Sequence, residues 1–100
     1  MTAPTPKFAL GRCVATPAAL KLLAELNLSP IELLVRHHCL DNGCLDAGDI
    51  EANVQALKSG ARLFSAFEIG DGLDKFYVIT EAVNDDGHRF STCLMTPSDY

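Results

Sequence analysis

The sequence predicts an α+β domain, about three helices packed on one face of a three- to four-stranded antiparallel sheet. Three observations carry that expectation. Helix-start signals occur three times before residue 50. The hydrophobic period changes from helical to alternating near residue 61. Three β-rich segments then follow one another, separated by turn-forming residues. Helices gathered before consecutive strands are the arrangement of an α+β domain.

Each element can be justified in order. Residues 1–7 are rich in Pro and Thr and are expected to be a flexible N-terminus, with a single domain over residues 8–100. FALGRCVA, residues 8–15, reads as a short strand at a sheet edge. Thr16-Pro17 is a helix start, the threonine as cap and the proline at the first helical position, where its missing N–H costs nothing. Leu20, Leu23 and Ala24 share a face of that helix, with Leu22 and Leu26 beside it. Ser29-Pro30-Ile31-Glu32 has the form of a capping box. Ile31, Leu34, Val35 and His38 follow with helical spacing and are the expected buried stripe. Asp46 caps a third helix whose stripe is Ile50, Val54 and Leu57, and Gly60 suits its left-handed end.

The strands follow. Residues 61–69 put Leu63, Ser65, Phe67 and Ile69 on one face and Arg62, Phe64, Ala66 and Glu68 on the other. A turn cluster, GDGLD, leads to residues 75–82, where Phe76 and Val78 alternate with Tyr77 and Ile79. NDDG is a hairpin signal, and residues 88–96 make the last strand before Pro97. Both sheet faces therefore carry large apolar groups. Helices cover one. The other is expected to meet the N-terminal segment or to bind a partner, a second copy of the chain included.

Composition narrows the function classes. Hydrophobic residues make up 48% and charged residues 21%, the balance of a folded chain. The net charge is −5, unevenly spread. Residues 1–40 hold four basic and two acidic residues, a net +2, whereas residues 41–100 hold four basic and eleven acidic residues, a net −7. An acidic chain is repelled by nucleic acid at long range. The start lacks the basic-then-apolar layout of a signal peptide, and no apolar run approaches the ~20 residues of a membrane span. The expectation is a cytoplasmic protein, with no membrane attachment, whose four cysteines are thiols.

The densest chemistry is RHHCLDNGCLDAGD, residues 36–49. His37, Cys39 and Cys44 offer zinc-type ligands, but the cysteines are not in a knuckle spacing. Adjacent histidines on a helix point roughly 100° apart, so His37 and His38 cannot both face one ion. The plainer reading is a helix end, with cationic side chains in the last turn, a tight turn at Gly43 and a new cap at Asp46. No nucleophile elbow, phosphate loop or His-Glu-x-x-His helix is present, and no enzymatic activity or cofactor is expected. Two close-coupled helices suggest a helix-turn-helix, but the second carries only Arg36 as a basic residue. A DNA mimic is suggested by the acidic half, but the acidic residues scatter into separate turns, as turn chemistry alone would place them.

LGRCVATPAALKLL, SPIELLVRHH, DIEANVQALKSGARLFSAF, YVITEA and the closing TPSDY stand in an order and spacing that resembles a family of small uncharacterised proteins of bacterial plasmids and other mobile elements, often called plasmid-related proteins. The resemblance runs over about residues 8–100. The chain departs from it at Asn42-Gly43, where the family tends to have Trp-Gly, and at Val83 to His88, which reads as a longer hairpin loop. The resemblance implies a small accessory protein of a mobile element, acting by protein–protein binding, with inhibition of a host defence system of the restriction or CRISPR type as the sharpest form. A DNA-binding regulator and a zinc-binding module stand as alternatives. Arg62, Phe64, Tyr77, Asp85 and Asp86 are the candidate partner-binding residues.

Overall fold

The computed structural model describes residues 7–41, 43, 45–69 and 74–100. Cys44 and most of the GDGLD turn lie outside the described residues. The elements are β1 (Arg12–Ala15), α1 (Pro17–Glu25), α2 (Pro30–His38), α3 (Ala47–Ser59), β2 (Leu63–Ile69), β3 (Asp74–Thr80), β4 (Ser91–Met95) and a closing 3-10 turn, η1 (Pro97–Asp99). The sheet order is β1-β4-β3-β2. The chain leaves one sheet edge at β1, passes through three helices to the opposite edge, and returns as a meander.

The meander is antiparallel, with Leu63 opposite Thr80 and Val78 opposite Leu94. β1 pairs parallel with β4, Cys13 lying beside Thr92. The sheet is therefore mixed, not purely antiparallel. A parallel pair needs a long crossover, and here the connection runs through the three helices and then β2 and β3. A four-residue strand shows no periodicity from which its direction could be read.

The helix starts form by the expected chemistry. Thr16 Oγ1 accepts from Ala19 N (3.2 Å), and Asp46 Oδ1 accepts from Asp49 N (2.9 Å). Ser29 also caps, but its hydroxyl accepts from Ile31 N (3.3 Å), one residue earlier than a capping box requires. Gly60 ends α3 in the left-handed region at φ 82°, as expected.

The buried faces of the helices differ from the expected stripes. α1 turns Ala19 and Leu23 inward and leaves Leu20 47% exposed. α2 buries Leu33 and His37, while Ile31 is 66% and Val35 46% exposed, and His38 is only half-buried. α3 buries Asn53 and Ala56, with Ile50 and Val54 each 37% exposed. In each case an i, i+3 or i+4 pair faces the sheet, but its members include small or polar residues. What selects them is the sheet's inner face, which presents hydroxyls as well as apolar groups. Ala19, Leu23, Leu33, Phe67, Phe76, Val78 and Leu94 form the core, with Leu34 at its margin. Truncating Leu23 to alanine there should cost about 2–5 kcal/mol.

Candidate functional site

Two side-chain constellations stand out, one on each face of the sheet. On the inner face His37 is fully buried. Its Nδ1 lies 2.6 Å from Ser65 Oγ on β2, and its Nε2 lies 2.8 Å from Thr80 Oγ1 on β3. Thr80 Oγ1 lies 2.6 Å from Thr92 Oγ1 on β4, and Thr92 donates to Leu10 O (2.7 Å). Phe8 stands edge-on to both His37 and His38, and Lys7 N donates to His38 O. Lys7, Phe8 and Leu10 thus lie on the helix side of the sheet; residues 1–6, expected to be flexible, lie outside the described residues, and of the two expected covers for the opposite face these three residues do not supply the first.

Burial, then the neighbouring His38 and Arg89, lowers the His37 pKa to about 4. The imidazole is neutral at pH 7 with both nitrogens engaged, which leaves neither free for a metal. Of the weak zinc set, then, His37 is committed to the core, Cys39 caps α2 as a half-buried thiol, and Cys44 lies outside the described residues. Among the described residues no group of three or more metal-ligating side chains comes together.

Arg89 is a buried charged group on the same side of the molecule as Phe8. Its guanidinium donates to Ala61 O (2.7 Å), Glu81 O (3.0 Å) and Ala56 O (3.1 Å), and it lies 5.9 Å from the Phe8 ring centre. The Ala56 carbonyl belongs to the last turn of α3, where the helix dipole favours a cation. This residue carries no sequence signal, because a single arginine after a hairpin turn resembles surface charge.

The outer face is the candidate interaction surface. Register places Phe64, Ile79, Cys93 and Val14 in one row across all four strands, and Ala66, Tyr77 and Met95 in the next. Tyr100 folds over these rows, its ring 5.8 Å from Tyr77 and 6.4 Å from Phe64, which are themselves 4.9 Å apart. Arg62 donates to the Tyr100 hydroxyl (3.1 Å). Asp99 holds this end of the chain in place. Its Oδ2 accepts from Thr16 Oγ1 (2.7 Å), Thr96 Oγ1 (2.9 Å) and Thr96 N (3.1 Å), and these bonds lower its pKa. Tyr100 stays 66% exposed.

Of the sequence-derived candidates, Arg62, Phe64 and Tyr77 are brought into one cluster. Asp85 and Asp86 sit in the β3–β4 turn, where Asn84 Oδ1 accepts from Asp86 N and His88 N, both at 3.0 Å. Neither lines the clefts beside Tyr100. Tyr100 itself was missed. Its position follows from the Asp99–Thr16 bond, which spans 83 residues and leaves no local pattern.

Tyr100 walls two clefts. One, of about 420 Å³, is lined by Arg62, Ile79, Glu81, Cys93, Met95 and Asp99. The other, of about 290 Å³, is lined by Asp49, Ala52, Asn53, Arg62 and Phe64. A third groove, on α2, is lined by Leu28, Ile31, Leu33, Val35 and Ile69, with Glu32 and Arg36 beside them. Arg36 is turned to Asp41 (2.8 Å) and stands 4.4 Å over the Phe67 ring. No helix of the described residues is long and apolar enough to cross a membrane. Comparison with known proteins finds no matching family model, no matching curated protein and no matching solved structure.

Proposed function

We propose that this protein acts by binding another protein through the outer face of its sheet, without catalysis. The carrying observation is the cluster of Phe64, Tyr77 and Tyr100 with Arg62, set on the sheet face opposite the His37 network and flanked at its edge by α3. Tyrosine and arginine are enriched among the residues that dominate binding energy, since each offers a large contact area and a polar end. Two clefts flank the protruding Tyr100 ring and give the surface relief. The resemblance to mobile-element accessory proteins supplies the sharper form of the proposal, inhibition of a host defence complex.

The DNA-regulator alternative draws less support. The outward side of α2 carries Ile31, Glu32 and Val35, and its only arginine is held by Asp41. A recognition helix needs several phosphate contacts. The test is affinity capture from the natural host with nuclease treatment, comparing wild type with Tyr100→Ala and Arg62→Glu. A nuclease-resistant partner that both variants lose supports the proposal. Partners that disappear with nuclease, or that both variants retain, overturn it. A dimer that Tyr100→Ala dissociates would make the partner a second copy of the chain.

A further inference from the structure

The larger outer-face cleft has a composition that selects its occupant. Its apolar residues are Ile79 and Cys93, cross-strand neighbours, together with Met95. Tyr100 forms a wall, and Glu81 and Asp99 stand at the rim. Among the described residues lining the cleft Arg62 is the one cation, and it is turned to the Tyr100 hydroxyl. Two carboxylates against one guanidinium leave a net negative cleft. The Asp99 hydrogen bonds to protein all fall on Oδ2, and the residue is exposed, so its charge remains open to solvent.

We infer that this cleft takes a lysine or arginine side chain of the protein partner, its aliphatic stem lying along Ile79, Cys93 and Met95 and its cationic head meeting Glu81 and Asp99. This rests on the outer face being the binding surface and adds the chemistry of what it recognises. Long basic side chains divide in this way, burying the stem on apolar surface and keeping the head with charge or water. The Tyr100 ring adds cation–π attraction. Cys93 reports the same field. After burial, the charges of Asp99 and Glu81 are what raise its thiol pKa, so both carboxylates act on one point in the cleft. The excess of acidic residues after position 40 favours approach of a basic partner from a distance.

Cys93 supplies the test. Its modification rate is compared between a cationic reagent, trimethylammonium-ethyl methanethiosulfonate, and its anionic sulfonatoethyl counterpart, read by peptide mass spectrometry. The exposed Cys13 in the same molecule is the reference. The expected cation-to-anion rate ratio at Cys93 exceeds that at Cys13 by about fivefold or more, and Glu81→Gln lowers it. Equal ratios, or a Cys93 that neither reagent reaches, overturn the inference. Glu81→Lys is then compared with Tyr100→Ala in partner capture. Loss of the partner by both supports the inference. Loss by Tyr100→Ala alone leaves the binding surface standing and removes the basic side chain from it. Retention by both removes the surface and the inference together.

Discussion

His37 donates its Nε2 proton to Thr80 Oγ1 across 2.8 Å, and the direction of that bond is forced. Thr92 spends its only hydroxyl proton on Leu10 O, a group that can only accept. Thr80 must then donate to Thr92, and it can only accept from His37. Nδ1 is left to accept from Ser65. One chain of protons therefore runs from β2 through α2, β3 and β4 to Leu10, ahead of β1. Nitrogen-resolved NMR of the imidazole should show the Nε2-protonated tautomer, and the opposite tautomer would contradict the chain as drawn.

Removing the imidazole should be costly. His37→Ala leaves the Ser65 and Thr80 hydroxyls short of a partner in a buried site and opens a cavity beneath α2. The expected loss is about 3–4 kcal/mol, read as a lower urea midpoint with an unchanged slope. A loss below about 1 kcal/mol would mean that water replaces the ring without penalty.

Acid should weaken the fold through the same residue. The folded-state pKa, about 4, lies below the unfolded value of 6.5, so the unfolded chain takes up the proton more readily. Above pH 6.5 the ring is neutral in both states and contributes no slope. As pH falls from 6.5 toward 4, stability drops by roughly 3 kcal/mol in total. Below pH 4 both states are protonated and this contribution levels off. Unfolding free energies measured across pH 4–7 should show this slope in wild type, and His37→Gln should lack it.

Asn53 closes a sheet edge. Its Nδ2 donates to Phe64 O (2.6 Å) and its Oδ1 accepts from Phe64 N (3.0 Å), so the side chain takes the place of a neighbouring strand on β2. Asn53→Asp keeps an acceptor but loses the donor and faces a carboxylate toward a carbonyl. The expected outcome is about 2–3 kcal/mol of lost stability and a rise in light scattering on warming, as an opened edge pairs between molecules. A monomeric variant of wild-type stability would remove the edge-closing role.

Gly43 closes the same edge by a second device. It bridges to Ala66 with φ 67°, and a Cβ there would collide with the Ala66 carbonyl oxygen. Gly43→Ala should destabilise by about 2 kcal/mol or more, because the left-handed conformation and the clash act together. Thermal unfolding of this variant beside Gly87→Ala separates the two effects, since Gly87 has a similar φ of 81° and open space around it.

Much of the scaffold was legible locally. Thr16, Ser29, Asp46 and Gly60 mark helix ends through bonds within a few residues, and the alternation of Leu63, Ser65 and Phe67 fixes which strand face turns inward. The pairing of Arg62 with Phe64 and Tyr77 as outward neighbours followed from the same alternation. These signals are short-range, so the sequence by itself determined them.

Tertiary structure decided the rest. Whether α2 buries His37 or His38 depends on hydroxyls at Ser65, Thr80 and Thr92, which no helical period contains. The parallel placement of β1 depends on three helices delivering the chain to the far edge of the sheet. The candidate site depends on Thr16 and Asp99 meeting across 83 residues to set Tyr100 over the outer face. In each case the deciding partner is distant in sequence, and its free energy appears only when both groups lose water together in the folded chain.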